Sequence, residues 1–198
     1  MSDLFADSSI DQNLESPLAD KMRPQSLDEV IGQHHLLGEG APLQNMVSSG
    51  NFSSLILWGP PGVGKTTIAR LLADHSKSHF EQLSAIFTGV SDLKKVFETA
   101  KIRRTNGHKT IIFVDEIHRF NKSQQDSFLP FLEDGTITLI GATTENPSFE
   151  LNSAILSRVQ VLVLERLTNS NLENIFERAE SLLGCLLYTS PSPRDVSR

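Results

Sequence analysis

Between Leu55 and Thr67 the chain reads LILWGPPGVGKTT, an apolar run followed by glycines, a lysine and threonines at the spacing G-x-x-x-x-G-K-T. These residue types at this spacing suit the cradling of a polyphosphate. Gly59, Gly62 and Gly64 permit tight backbone turns, some at positive φ, that aim successive N–H groups at one anion. Pro60, Pro61 and Val63 fill out the loop. A helix expected over Thr66–Asp74 starts where the loop ends, and the positive end of its dipole favours the same phosphates. Lys65 is spaced to reach the β and γ phosphates, and the Thr66 hydroxyl, with Thr67 next to it, to hold Mg²⁺. Gly59 to Thr67 is therefore read as a phosphate-binding loop.

A second group of residues fits the same chemistry. Ile111 to Val114 is an apolar strand closed by Asp115 and Glu116. In open α/β sheets ligands lie beyond the carboxyl ends of strands, which puts both carboxylates beside the loop. Asp115 suits the Mg²⁺ shell, and Glu116 suits the orientation of an attacking water. Alone, an acidic pair closing a strand would be ordinary; the phosphate loop gives it meaning. Guanine recognition would call for N-K-x-D. Asn121-Lys122-Ser123-Gln124 begins that way but carries Gln124 where the aspartate belongs, so ATP is the expected nucleotide.

The elements that must position these residues follow from periodicity. Strands are expected near Ser54–Trp58, Phe80–Leu83, Thr110–Val114, Ile137–Gly141 and Gln160–Leu164. Helices are expected near Ala41–Ser48, Thr66–Asp74, Ser91–Arg103, Lys122–Glu133, Asn152–Leu156 and Ser170–Leu183. Alternation of this kind predicts an α/β fold, a five-stranded parallel sheet with helices on both faces, followed by the start of a helical lid. The expected division is a flexible acidic arm over 1–17, a nucleotide-binding domain over 18–166 and the start of the lid over 167–184.

Composition narrows the class. The chain has 198 residues and a net charge of −6, which speaks against a generally basic nucleic-acid binder but leaves room for a local patch. Lys101, Arg103, Arg104, His108 and Lys109 form the densest basic run, readable as a patch or as a solvated helix end. The apolar runs are strand-sized, too short to span a bilayer, and the acidic N-terminus is unlike a signal peptide. A cytoplasmic protein with no membrane partner is expected. The one cysteine, Cys185, and the one tyrosine, Tyr188, fall in the tail with Pro191 and Pro193. The run CLLYTSPSPRD resembles a translated sequencing-library adapter, so residues 185–198 are expected to be non-native and the protein cut off there.

The ordered set of G-P-P-G-x-G-K-T, an apolar strand with Asp115-Glu116, a strand ending Ala142-Thr143-Thr144, and Leu156-Ser157-Arg158 resembles the AAA+ ATPases. The resemblance implies an ATP hydrolase with paired Walker A and Walker B segments. It implies that Thr144, or its neighbour Thr143, is the sensor 1 residue. It implies that Arg158 is an arginine finger reaching the ATP of an adjacent subunit. It also implies an adenine-side wall at Arg23, Pro24, Val30 and Ile31. The run DEIHRFNKSQQDSFLPFLEDGTITLIGATTENPSFELNSAILSR is similar to the replication-associated recombination protein A family, over about Leu18 to Leu183. Clamp-loader subunits share Thr-Thr and Ser-Arg but carry a cysteine-rich insertion absent here. The Holliday-junction branch-migration motor shares D-E-I-H-R but differs in the next helix. The family implies a DNA-dependent ATPase of stalled forks and recombination, nucleoid-associated. Its partners would be single-stranded DNA or duplex ends, single-strand-binding protein, and its own copies as a homotetramer. Asp3-Leu4-Phe5 resembles the end of a peptide that docks on the sliding clamp. The alternative is a nucleotide-binding fragment with little turnover, for want of a lid and assembly region.

Overall fold

The protein is described here by a computed structural model covering residues 17–183. The Asp3-Leu4-Phe5 segment and the tail from Cys185 lie outside the described residues. Contacts divide the chain into two compact units. The larger is Pro24–Asn174; the smaller takes in residues 17–23 and 175–183. In the smaller unit the short helix Leu18–Lys21 leads to Arg23, whose guanidinium donates to the Asp20 carboxylate at 2.9 Å. Among the described residues no helix is long and apolar enough to cross a membrane.

The larger unit is built on five parallel strands: β1 (Leu55–Trp58), β2 (His79–Ser84), β3 (Thr110–Asp115), β4 (Thr138–Thr143) and β5 (Gln160–Val163). Their order across the sheet is β2-β3-β4-β1-β5. Side chains alternate between faces along a strand, so each strand feeds two cores. Leu55, Leu57, Ile111, Phe113, Ile140 and Ala142 pack on one face with Ile68 and Leu72 of the helix Lys65–His75. Ile56, Ile112, Val114 and Leu139 pack on the other with Leu93 and Phe97 of the helix Val90–Thr105 and with Phe128. Both faces of β1, β3 and β4 are covered, which is why these three read as nearly continuous apolar runs, whereas β2 and β5 at the edges do not. The expected parallel α/β sheet is the observed one.

One expected helix is two. In place of Lys122–Glu133 the chain forms Lys122–Asp126 and Leu129–Glu133. Pro130 has no N–H to donate to the Asp126 carbonyl, and the ladder is interrupted there. The fully buried Phe128 marks the junction, and Phe97 lies edge-on to it with ring centroids 5.1 Å apart. The N-K-S-Q run that begins like a guanine signature is a capping box. Asn121 Oδ1 accepts from the Gln124 N–H at 2.9 Å, and Gln124 Oε1 accepts from the Asn121 N–H at 3.1 Å. The basic run after Lys101 is largely paired with acids: Lys101 with Glu98, Arg103 with Glu81 and Arg104 with Asp134. It is a helix end stitched to its neighbours.

The segment before β1 is fastened to the exit of β5 by one side chain. Gln33, buried and at φ +60°, donates from Nε2 to the Glu165 carbonyl at 2.8 Å and accepts the Glu165 N–H on Oε1 at 3.0 Å. The amide pairs with the backbone as a strand residue would. Beside it, His35 Nε2 lies 2.8 Å from the Val163 carbonyl.

Candidate nucleotide site

The loop after β1 turns as its glycines allow. Gly62 and Gly64 take φ of +80° and +98°, a region that L side chains rarely adopt. Gly59 is needed for a different reason than turning. It lies outside the positive-φ set, and a Cβ there would come within 2.6 Å of the Leu164 carbonyl. It is the close approach of the chain leaving β5 that excludes a side chain. Gly59 N–H also donates to the Thr143 carbonyl at 3.1 Å, which ties the loop entrance to the end of β4. Val63 turns its side chain into the core and leaves its backbone to the loop.

Lys65 opens the helix that follows and is only 9% exposed. Its ammonium donates to the carbonyls of Gly59 at 2.7 Å and Pro60 at 2.9 Å, so the loop itself aims the charge. Burial lowers its pKa below the ordinary lysine value; the nearby Glu116 and Asp115 carboxylates oppose that shift. Lys65 thus faces the acidic pair across one cleft of about 340 Å³. That cleft is lined by Pro61, Gly62, Gly64, Lys65, Thr66, Thr67, Asp115 and Glu116. Residues from two distant stretches of sequence meet there because β4 alone separates β1 from β3. Both Asp115 and the loop lie at carboxyl ends of strands.

The donor set fits a magnesium ion that arrives with a nucleotide. No group of three or more His, Cys, Asp or Glu among the described residues could hold a metal alone. Thr66 and Asp115 offer one hydroxyl and one carboxylate, which suits an ion that keeps waters and takes phosphate oxygens.

Glu116 adopts φ +52°, a left-handed backbone that costs a side-chain-bearing residue on the order of 1–2 kcal/mol. Its Oε2 lies 3.3 Å from His118 Nε2, and His118 Nδ1 lies 2.9 Å from Thr143 Oγ1. Thr143 also accepts the Glu145 N–H at 3.0 Å. The Thr143 hydroxyl is therefore engaged inside the protein, whereas no hydrogen bond is formed by the Thr144 hydroxyl among the described residues. Thr144 follows directly on the end of β4, between the loop and the acidic pair. Sequence reasoning missed His118 and Gln33. The D-E-I-H run and the Gly32-Gln33 pair were visible, but nothing local names their partners.

Other expected site residues lie apart from the cleft. Arg158 precedes β5, whose Gln160 pairs in register with Leu55 at the start of β1. It therefore sits toward the amino-terminal edge of the sheet, one strand length away from Gly59. Its side chain is 38% exposed, and the guanidinium donates to Glu133 at 2.6 Å, to the Ala154 carbonyl at 2.8 Å and to Ser157 Oγ at 2.9 Å. Of the expected adenine wall, Pro24, Val30 and Ile31 belong to the larger unit, while Arg23 belongs to the smaller. Val30 packs against the core that holds Leu27 and Leu36. None of Pro24, Val30 and Ile31 lines the cleft.

The ATPase family associated with various cellular activities (AAA) matches residues 55–167. Replication-associated recombination protein A of Escherichia coli (strain K12) is 52% identical over 179 residues, covering 90% of this chain and 40% of that protein. ATPase WRNIP1 of Dictyostelium discoideum is 50% identical, covering 82% of this chain and 19% of that protein. This chain thus spans two fifths or less of the length of these relatives. Among solved structures, the Thermotoga maritima RuvB Holliday junction branch migration motor superposes with a TM-score of 0.66 at 31% identity, over 82% of this chain and 55% of that one. The match to that family over residues 55–167, more than half of the chain, makes the chain a member of the AAA family of ATPases.

Proposed function

We propose that this chain carries an ATP-hydrolysing site that serves DNA transactions at replication forks and in recombination. The observation that supports it most is the shared cleft: a buried lysine aimed by loop carbonyls, facing Asp115 and Glu116. In this reading the N–H groups of Gly62 to Thr66 and the Lys65 ammonium bind the phosphates and neutralise their charge. Thr66 and Asp115 hold Mg²⁺, which when bound offsets charge on the phosphate oxygens. Glu116 orients a water and takes its proton as the water oxygen bonds to the γ-phosphorus; the bond to the β–γ bridging oxygen breaks, leaving ADP and phosphate. Thr144 contacts the γ-phosphate side.

Arg158 acts on a neighbouring copy. Its place toward the opposite sheet edge supports this, because it is too far from its own loop to serve it. The names of the relatives support DNA as partner, single-stranded or at duplex ends. Self-association as a homotetramer, contact with single-strand-binding protein and the sliding clamp, and a cytoplasmic, nucleoid-associated location complete the proposal. In full-length protein, Lys65→Ala should abolish ATP-dependent activity and Glu116→Gln should bind ATP yet hydrolyse it very slowly. Normal turnover by Lys65→Ala at saturating ATP would overturn the assignment.

A further inference from the structure

We infer that His118 is a positioning residue that sets the direction of the Glu116 carboxylate and ties it to the end of strand β4. The inference rests on the reading of Glu116 as the group that orients water.

The argument starts from a proton count. His118 is wedged between two acceptors, with its side chain 7% exposed. If Nδ1 carries the proton and Nε2 is bare, a lone pair faces a carboxylate at 3.3 Å, which is repulsive. If Nε2 carries the proton, the ring turns a donor rather than a lone pair toward the carboxylate. The Glu145 N–H donates to Thr143 Oγ1 at 3.0 Å, the Thr143 hydroxyl is within reach of Nδ1 at 2.9 Å and of the Glu145 carbonyl at 3.3 Å, and Nε2 lies 3.3 Å from Glu116 Oε2. The doubly protonated ring also presents Nε2–H to Glu116. Both favourable states put a donor on the carboxylate.

The ring is itself held. It stands on the single 3₁₀ turn Ile117–Arg119, closed by Arg119 N–H donating to the Glu116 carbonyl at 2.8 Å. Ile117 anchors that turn against β4 where Gly141 leaves room; a Cβ on Gly141 would come within 2.9 Å of Ile117 Cδ1. Glu116, on its left-handed backbone, lines the cleft. One oxygen is fixed from behind and the other is left to meet water. Positioning of this kind is felt in the chemical step and hardly in binding.

The test uses full-length protein. His118→Gln and Thr143→Val should each lower kcat about tenfold or more, with the affinity for a fluorescent ATP analogue within about twofold of wild type. Thr143→Ser, which keeps the hydroxyl, should restore the rate. Added to Glu116→Gln, His118→Gln should cost nothing further in single-turnover hydrolysis. Wild-type kcat in His118→Gln, or a defect that multiplies that of Glu116→Gln, overturns the inference. So does a lowered melting point with an unchanged rate per folded molecule. If His118→Gln does not fold, the contrast between Thr143→Val and Thr143→Ser decides the matter alone. A Glu116→Gln protein that still turns over ATP removes the base reading, and this inference with it. A dead Glu116→Gln beside a fully active His118→Gln removes this inference only.

Discussion

Lys65 is where folding and binding pull in opposite directions. Burial lowers its pKa relative to the unfolded chain, so the charged lysine costs stability at every pH below its folded pKa; that cost fades as pH climbs toward the unfolded value. Lys65→Met removes the charge that burial disfavours. Thermal melts should show a midpoint no lower than wild type at neutral pH, while nucleotide titration should show affinity reduced roughly ten- to a hundredfold. A large drop in melting point would mean that the bonds to Gly59 and Pro60 stabilise the loop more than burial penalises the ammonium. The residues legible in the sequence, Lys65, Thr66, Asp115 and Glu116, are those whose geometry is set by immediate neighbours in one loop or one strand end. His118 and Gln33 were not legible because their partners are remote, 25 residues away for Thr143 and 132 for Glu165. No spacing rule spans such distances.

At the scale of elements, β1, β3 and β4 were readable because both their faces are buried, and a short apolar run bounded by turn residues fits little besides a buried strand. The break near Pro130 could have been read from the missing N–H, but the apolar spacing across Phe128 and Phe131 continues through it and favours one helix. Gly59 shows the limit of motif reasoning from the other side. Its identity fits the phosphate loop, yet the constraint comes from Leu164 on another element. Gly59→Ala should therefore destabilise the fold by about 1–3 kcal/mol, visible as a lower urea midpoint before any ligand is added. A variant as stable as wild type would show that β5 yields easily. Gln33→Ala leaves the Glu165 N–H and carbonyl without their partner at a cost of about 1–3 kcal/mol. Hydrogen exchange should speed up at the Glu165 amide, and protection retained there would contradict the role given to Gln33.

At the scale of the whole molecule the proposed sharing of the site between copies has a direct consequence. Arg158 stands on the sheet edge away from its own loop, so a single copy should bind ATP and turn it over slowly. An isolated chain matching the turnover of a full-length relative would refute this. Mixing full-length Arg158→Ala with Lys65→Ala should restore activity, since one copy keeps a working loop and the other a working guanidinium. Mixtures that stay inactive at every ratio would remove the shared-site reading. The Glu133 contact at 2.6 Å is between exposed groups and is worth less than about 1 kcal/mol, so it delays the arginine little. How copies meet is also limited by the outer side of β5, which has β1 as its one neighbour and carries the partly exposed Val161 and Val163. A bare strand of that kind invites other chains to zip onto it. Here the Val163 carbonyl faces an imidazole and the Glu165 backbone is already matched by an amide side chain. A peptide arriving in register finds its last rungs taken. The consequence is that the β5 edge of the sheet is closed by side chains of the same chain rather than left open to a sixth strand.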